Sequence, residues 1–214
     1  MELTHFGHSC MQVSMNGSTV LFDPGAFSHG FEGITGLDAI LITHQHADHV
    51  DVDRLPALLE ANPNAALYAD PQTAAQLGGG WTAVRAGDVF TVGDVQVTGV
   101  GGTHATIHPD IDLIDNTAFL LGTPDRPGQL MHPGDSLFVP DVPIDVLAMP
   151  AAAPWMKVSE AVEYLRAVAP RVAVPIHQAI VAEDARGIYY GMLSSLAADG
   201  TEFTPLTEES GTTV

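Results

Sequence analysis

Six residues, His44-Gln45-His46-Ala47-Asp48-His49, hold three imidazoles and a carboxylate directly after a strand-like apolar run, Ala39-Ile40-Leu41-Ile42-Thr43. Imidazole and carboxylate are the groups that first-row divalent metals take from proteins, so a metal site is the first chemistry this chain offers. The spacing has a physical sense. Side chains alternate along extended backbone, so His44 and His46 project to the same side and can grip one ion. Asp48 and His49 fall where the chain turns toward a helix and can face a second ion beside the first. One loop then supplies ligands for two ions. With ten His in 214 residues, this pattern arises by chance in roughly one such chain in several hundred, so accident is a poor account of it.

The pattern HxHxDH after a hydrophobic strand resembles the signature of the metallo-β-lactamase fold superfamily. The resemblance implies an α+β fold, a four-layer αββα sandwich with a metal site at one edge. It also implies three further ligands: a later His, an Asp in a short Gly-Asp turn and a final His after a strand. His104 follows Val95-Gln96-Val97-Thr98-Gly99-Val100, Asp135 sits in His132-Pro133-Gly134-Asp135-Ser136, and His177 follows Arg171-Val172-Ala173-Val174-Pro175-Ile176. Carried over residue by residue, His44, His46 and His104 hold the first ion, Asp48, His49 and His177 the second, and Asp135 bridges them. The opening Leu3-Thr4-His5-Phe6-Gly7-His8-Ser9-Cys10 and Leu21-Phe22-Asp23-Pro24 resemble the branch of L-ascorbate-6-phosphate lactonase-like proteins and related metal-dependent hydrolases. Two stretches depart from it. Pro133 stands where many relatives carry a small residue, and Pro150-Ala151-Ala152-Ala153-Pro154-Trp155 replaces a Gly-rich stretch.

The ligand set implied by the resemblance contains no Cys, which suits two divalent ions, Zn first and also Mn or Fe. A pair of ions roughly 3.5 to 4 Å apart can share a water and lower its pKa from about 15.7 to about 7, making hydroxide the nucleophile. Asp135 then bridges and Asp48 orients the water, so these two carboxylates are the catalytic candidates. Ser9, Ser136 and Cys10 need no catalytic role. The expected activity is hydrolysis of a small ester, lactone, amide or phosphoester. A phosphodiesterase of the same fold and a non-catalytic sensor that retains metal are the alternatives. Flavin-linked oxygen chemistry fits less well, since relatives of that sort carry Glu at the second acidic ligand.

Other residues take supporting roles in this reading. His8 is a candidate for orienting substrate or a ligand, His132 for supporting the Asp135 turn, and Asp23 for bracing the loop beneath the metals. His108, in Ile107-His108-Pro109-Asp110, competes with His104, which follows its strand more closely. His5 and His29 read as structural. Substrate contacts are expected from loops at residues 25 to 36, 105 to 116 and 151 to 158, with Phe27, Phe31 and Trp155 as apolar walls.

A formal charge of -19 with only seven Lys and Arg opposes any polyanionic partner, because nucleic-acid affinity comes from basic side chains that neutralise phosphates. A small-molecule substrate, no nucleic acid and no membrane are expected. The first residues alternate as a strand, and no run approaches the roughly 18 apolar residues of a membrane span. One Cys fits a reducing compartment, so the protein is expected in the cytoplasm. The length suits one core, with residues 1 to 206 as the domain and 207 to 214 as a frayed tail.

The elements that must position these groups are strands at about 2 to 6, 9 to 15, 18 to 23, 39 to 43, 82 to 85, 88 to 92, 94 to 100, 116 to 121 and 129 to 132. A helix is predicted over 53 to 61 with Asp53 as its cap, and another between Pro71 and the Gly78-Gly79-Gly80 stop. Strand 144 to 149, helix 158 to 168, strand 171 to 176 and helix 183 to 198 complete the pattern. Val158, Ala161, Val162, Leu165 and Val168 recur at helical spacing, a stripe that must face a core.

Overall fold

The period-two burial of β2 (Met11–Met15), in which Met11, Val13 and Met15 turn inward, sets the inner layer of the molecule. The computed structural model describes all 214 residues. β1 (Glu2–His5), β2 and β3 (Ser18–Phe22) form an antiparallel meander. β4 (Ala39–Ile42), β5 (Ala66–Ala69) and β6 (Thr82–Ala83) then add in parallel. A second sheet repeats this plan. β7 (Val89–Val92), β8 (Val95–Thr103), β9 (Asp115–Thr123) and β10 (Arg126–His132) run antiparallel, followed by parallel β11 (Val146–Pro150), β12 (Val172–Ile176) and β13 (Glu202–Phe203).

The two sheets pack face to face. Leu3, Met11, Val13, Val20, Phe22 and Leu41 of the first meet Val95, Val97, Phe119, Leu121, Leu130 and Val174 of the second. Each outer face is covered by a helix pair. Ile40 and Ile42 pack with Leu55 and Leu58 of α1 (Leu55–Ala61) and Ala74 of α2 (Pro71–Leu77). Leu147, Met149 and Ala173 pack with Ala161, Val162 and Leu165 of α3 (Val158–Val168) and Leu193 of α4 (Glu183–Leu196). This is the expected αββα sandwich. β4, buried on both faces, has no polar alternation, which is why it reads as a continuous apolar run.

The layer order brings the chemistry to one edge. β3, β4, β10, β11 and β12 all end there, because β4 is parallel to β3 and β10 to β12 are mutually parallel. The carboxyl ends of parallel strands are where open sheets build their sites. Asp23 and His177 follow such an end directly, and His44 stands one residue further on, after Thr43.

Several local expectations differ from what is observed. Asp53 does not cap α1. The N-cap position is Arg54, with no side-chain cap, and Asp51 Oδ1 instead closes the turn before the helix, accepting from the backbone N–H of Asp53 at 3.0 Å and of Arg54 at 3.2 Å. β5 was not predicted, since Ala66-Leu67-Tyr68-Ala69 lacks the β-branched residues that mark strands. No helix is long and apolar enough to cross a membrane.

The expected frayed tail is also corrected. β14 (Thr212–Thr213) pairs with β1 and covers the open edge of the first sheet. The segment before it is clasped by His29, whose Nδ1 lies 2.7 Å from Glu209 and Nε2 2.9 Å from Glu208. A ring bonded to carboxylates at both nitrogens is an imidazolium, and the hydrogen bond to Glu209, with that to Glu208, raises its pKa above the ordinary value against the opposing effect of desolvation. The sign follows from linkage: the contribution is complete below the unfolded value and is lost as pH rises through the elevated folded one. The ring is half exposed, so the effect is local and below about 1 kcal/mol. Hydrogen exchange, corrected for intrinsic rate, should show Thr212 and Thr213 better protected at pH 6 than at pH 9. His29→Ala should remove that difference, and equal protection at both pH values in the unaltered protein would contradict the clasp.

Candidate metal centre

Asp23 lies at the bottom of the site, fully buried at the end of β3. Its Oδ1 accepts the backbone N–H of Thr43 at 2.7 Å, and its Oδ2 accepts both the Thr43 hydroxyl and His49 Nδ1–H at 2.7 Å. The Thr43 hydroxyl, having donated to Asp23, accepts His44 Nδ1–H at 3.1 Å. His104 Nδ1–H donates to the Ala105 carbonyl at 2.6 Å and His177 Nδ1–H to that of Ala152 at 2.7 Å. Four imidazoles thus spend Nδ1 on the scaffold, which fixes the tautomer and turns the Nε2 lone pair inward. Metal-binding histidines are oriented in this way.

Asp135 stands between two groups of these rings. Its Oδ1 is 3.0 Å from His49 Nε2 and 3.2 Å from His177 Nε2, while its Oδ2 is 3.3 Å from His104 Nε2 and 4.0 Å from His44 Nε2. Two candidate ligand sets result, one of His44, His46, His104 and Asp135 and another of His8, Asp48, His49 and His177, each with its ligand atoms within 4.8 Å of one another. His49 Nε2, His104 Nε2, His177 Nε2 and Asp135 Oδ1 are all buried and have no hydrogen-bond partner. Lone pairs converging at 3 to 4 Å repel unless a cation lies among them. A tetrahedral ion bound at about 2.0 to 2.2 Å keeps its ligands roughly 3.3 Å apart, so these residues fit divalent ions.

The electrostatics agree with that fit. Burial pushes the His44 pKa well below its ordinary value and lowers that of His46, so these rings are neutral and available as ligands; burial lowers that of His132 as well. Burial also opposes charge on His49 and His177. There Asp135, with Asp23 for the first and Asp48 for the second, outweighs it and raises the pKa, in His177 to about 9. Burial likewise works against ionisation of Asp135 and Asp48, but the surrounding imidazoles hold both carboxyls well below the usual range. The site draws positive charge into a buried cluster, and a proton or a metal ion answers the same field.

The turn that carries Asp135 has little freedom. Gly134 has φ +58°, and a Cβ there would collide with the side chains of Asn116 and Thr43. Asn116 accepts from Asp135 N–H at 2.9 Å and donates to the Pro133 carbonyl at 2.9 Å. His132 stacks on Phe22 and donates from Nε2 to the Ser9 carbonyl, beneath the same turn. Asn116 and Thr43 are the supporting residues that sequence reasoning missed. Both are ordinary polar residues at strand ends, and only the tertiary contact reveals them.

His8 stands closer to the centre than its expected supporting role. Its Nε2 is 3.0 Å from Asp48 Oδ2, its Nδ1 is buried without a partner, and its ring lies 4.1 Å from that of His177. Burial lowers its pKa to about 4. Its carbonyl accepts both His177 N–H at 3.0 Å and His5 Nε2–H at 2.8 Å, which gives His5 its structural place.

A cavity of about 410 Å³ opens over the cluster, walled by Phe27, Ile107, Pro154, Trp155 and Ile180, with His46, Asp48, Asp135 and His177 beneath. Trp155 Nε1–H donates to Asp135 Oδ2 at 2.9 Å. Two sequence candidates fall outside. His108 is exposed and accepts from Asp110 N–H at 3.1 Å, because its loop runs outward once His104 has been placed by β8. Phe31 is buried in the core under α1 with Arg54 stacked on it at 4.6 Å, so it walls nothing.

The sequence and the fold match known proteins at this point. A family model described as a beta-lactamase superfamily domain matches residues 2–177, a span that includes every proposed ligand. The chain belongs to the metallo-β-lactamase superfamily. It is 64% identical over its whole length, and that of the relative, to Protein Rv0786c of Mycobacterium tuberculosis. It is 30% identical to a UPF0173 metal-dependent hydrolase of Enterococcus faecalis, with 83% of this chain and 86% of the relative covered. Igni18, a metallo hydrolase of Ignicoccus hospitalis, shares the fold with TM-score 0.74 at 19% identity, over 100% of this chain and 98% of its own.

Within this superfamily member, the Asp23 carboxylate orients two rings by accepting three hydrogen bonds besides their indirect link through Thr43. Asp23→Asn replaces one accepting oxygen by a donor, so His49 or Thr43 must turn. Competition with a chromophoric chelator should show metal affinity reduced by about 10- to 100-fold. Unchanged affinity in a folded Asp23→Asn protein would show that the rings are held by other means.

Proposed function

We propose that this protein is a dinuclear metal-dependent hydrolase of a small ester, lactone, amide or phosphoester. The supporting observation is Asp135, whose two oxygens address two separate groups of imidazole lone pairs. His44, His46 and His104 would hold one ion and Asp48, His49 and His177 the other, with Asp135 shared; His8 adjoins the second set. An all-imidazole and carboxylate donor set makes Zn the first choice over Mn or Fe. When bound, such ions polarise a carbonyl or phosphoryl oxygen and lower the pKa of water to about 7.

The chain's own groups then divide the remaining work. His8 engages Oδ2 of Asp48, which leaves the other oxygen of that ionised carboxylate to accept a hydrogen bond from water and orient it. Trp155 holds the Asp135 carboxylate from the cavity side and, with Phe27, Ile107 and Ile180, gives the open cavity above it an apolar wall. Cys10 is excluded as a nucleophile by its place in the core, where burial pushes its thiol pKa well up. The charge of -19 supports a small substrate over a nucleic acid, and a lone, unpaired Cys supports the cytoplasm.

Metal analysis of gently purified protein should find close to two ions per chain. With a substrate found by screening lactones, esters, amides and phosphoesters, Asp135→Ala should lose about 100-fold or more of turnover together with metal, and Cys10→Ala should stay within about tenfold. Activity that survives Asp135→Ala and disappears with Cys10→Ala would defeat this reading. No turnover joined to saturable binding of an unaltered molecule would instead establish a sensor.

Stripping the metal tests the same ligands without a substrate. Clustered lone pairs and carboxylates repel once the cations leave, so a chelator should lower the melting temperature by about 5 to 15 °C, and the added ion should restore it. An unchanged melt after verified metal removal would contradict the ligand assignment.

A further inference from the structure

A second cavity, of about 680 Å³, lies beside the first and differs from it in chemistry. It is a groove between the start of α4 and the segment leading into α3, walled by Ala153, Met156, Val181, Ala185, Ile188 and Met192. No carboxylate lines it, in a chain with 26 Asp and Glu.

The groove adjoins the metal cavity. Ile180 lines both, on the short 3-10 turn Gln178–Ile180 that begins at His177. Ala152, whose carbonyl fixes the His177 ring, is also part of the groove wall. Between the two cavities stands a turn closed by the Ala153–Met156 bridge. Its tip, Pro154 and Trp155, faces the metal cavity, and its base, Ala153 and Met156, faces the groove. Ile188 is 65% exposed on the groove's outer lip. At the other lip stands Lys157, the chain's only lysine, with no carboxylate within ion-pair distance; such a side chain lends its apolar stem to a wall while its ammonium stays in water.

We infer that the substrate carries an extended apolar chain which leaves the reacting group at the metal cavity, passes Ile180 and lies in the groove along α4. This rests on the hydrolase reading and adds to it a substrate class: acyl compounds with a medium-length unbranched tail. The groove begins where the reaction centre ends, which a partner-docking face has no need to do. Its walls are mostly aliphatic, Tyr189 and Lys157 alone bringing polar side-chain atoms, so recognition is chiefly by length and apolarity. Burial of a methylene favours binding by up to about fourfold, and an open groove delivers a part of this.

The test uses the metal-loaded protein and two readouts. By calorimetry, decanoate should bind at least tenfold more tightly than butyrate. Ile188→Asn, which makes the lip polar, and Ala185→Phe, which fills the groove, should each remove most of that preference while leaving butyrate binding unchanged. In parallel, kcat/KM on nitrophenyl esters from acetate to decanoate should rise about twofold or more per methylene in the unaltered protein, and level off early in Ala185→Phe. Equal binding of decanoate and butyrate would overturn the inference, as would ester turnover that is flat with chain length. Length-selective binding with no turnover of any ester would leave the groove assignment standing and count against the hydrolase reading alone. A dimer by light scattering that separates in Ile188→Asn would show that the groove belongs to a second copy of the chain, and would overturn the proposal.

Discussion

The geometry of the centre depends on one buried carboxylate. Asp23 accepts from Thr43 twice and from His49 once, and through the Thr43 hydroxyl it also fixes His44. An unpaired carboxylate at this depth would cost several kcal/mol, so the chain around it must supply donors, and the donors it supplies are the groups that aim the imidazoles. The demand for pairing and the demand for metal geometry are met by the same bonds. The backbone carries strain to keep them: Asp23, His8 and His177 all adopt left-handed φ, at 43°, 48° and 62°. Such conformations cost about 1 to 3 kcal/mol each and persist where the surroundings dictate them.

That strain is tolerated because rigid strands converge on it from both sheets. The backbone N–H of Thr117, on β9, donates to the Thr43 carbonyl at 2.9 Å, and that of Ala105 donates to the Asp135 carbonyl at 2.8 Å. The first bond ties the second sheet to the first across the site, and the other joins the turn after β8 to the turn after β10 within the second sheet. Gly25 shows how close the approach is, since a Cβ there would overlap the Asp48 backbone. The ligands are therefore held by strand ends and short turns. The cavity walls come from longer loops and from α4, whose lips are exposed, and they reach the ligands through Trp155 on Asp135 and the Ala152 carbonyl on His177.

The contrast explains what the sequence revealed and what it concealed. Ligands stand at fixed offsets from strand ends, so His44, His46, His104, Asp135 and His177 could be located by alternation and by resemblance, and the structure brings them together. His8 was visible as a candidate, but its approach to Asp48 depends on a left-handed turn that nothing in the residue type announces. Asn116 acts on a turn 17 to 19 residues away in its own sheet and Thr43 also bonds across to the second sheet, at sequence separations no local pattern can encode. Phe31 and Phe27 look alike in sequence, and the distinction between core and cavity wall lies in which side of the loop each faces. The tail was misread for the same reason. Thr212 and Thr213 become ordered by completing the edge of β1, more than 200 residues earlier in the chain.

The charge of the chain takes on a different meaning once the groove is considered. A net charge of -19 is repulsive to any anion approaching the surface, yet the site is built to hold cations, which reverse that potential where they sit. A substrate with an anionic or polarised head and an apolar tail is then placed by two unlike forces, the head drawn to the one positive region and the tail excluded from water along α4. Neither force requires a directional contact with the reacting group beyond the centre itself. Selectivity in such an arrangement resides in the length and shape of the groove, and the ligand sphere can stay the same while the substrate changes.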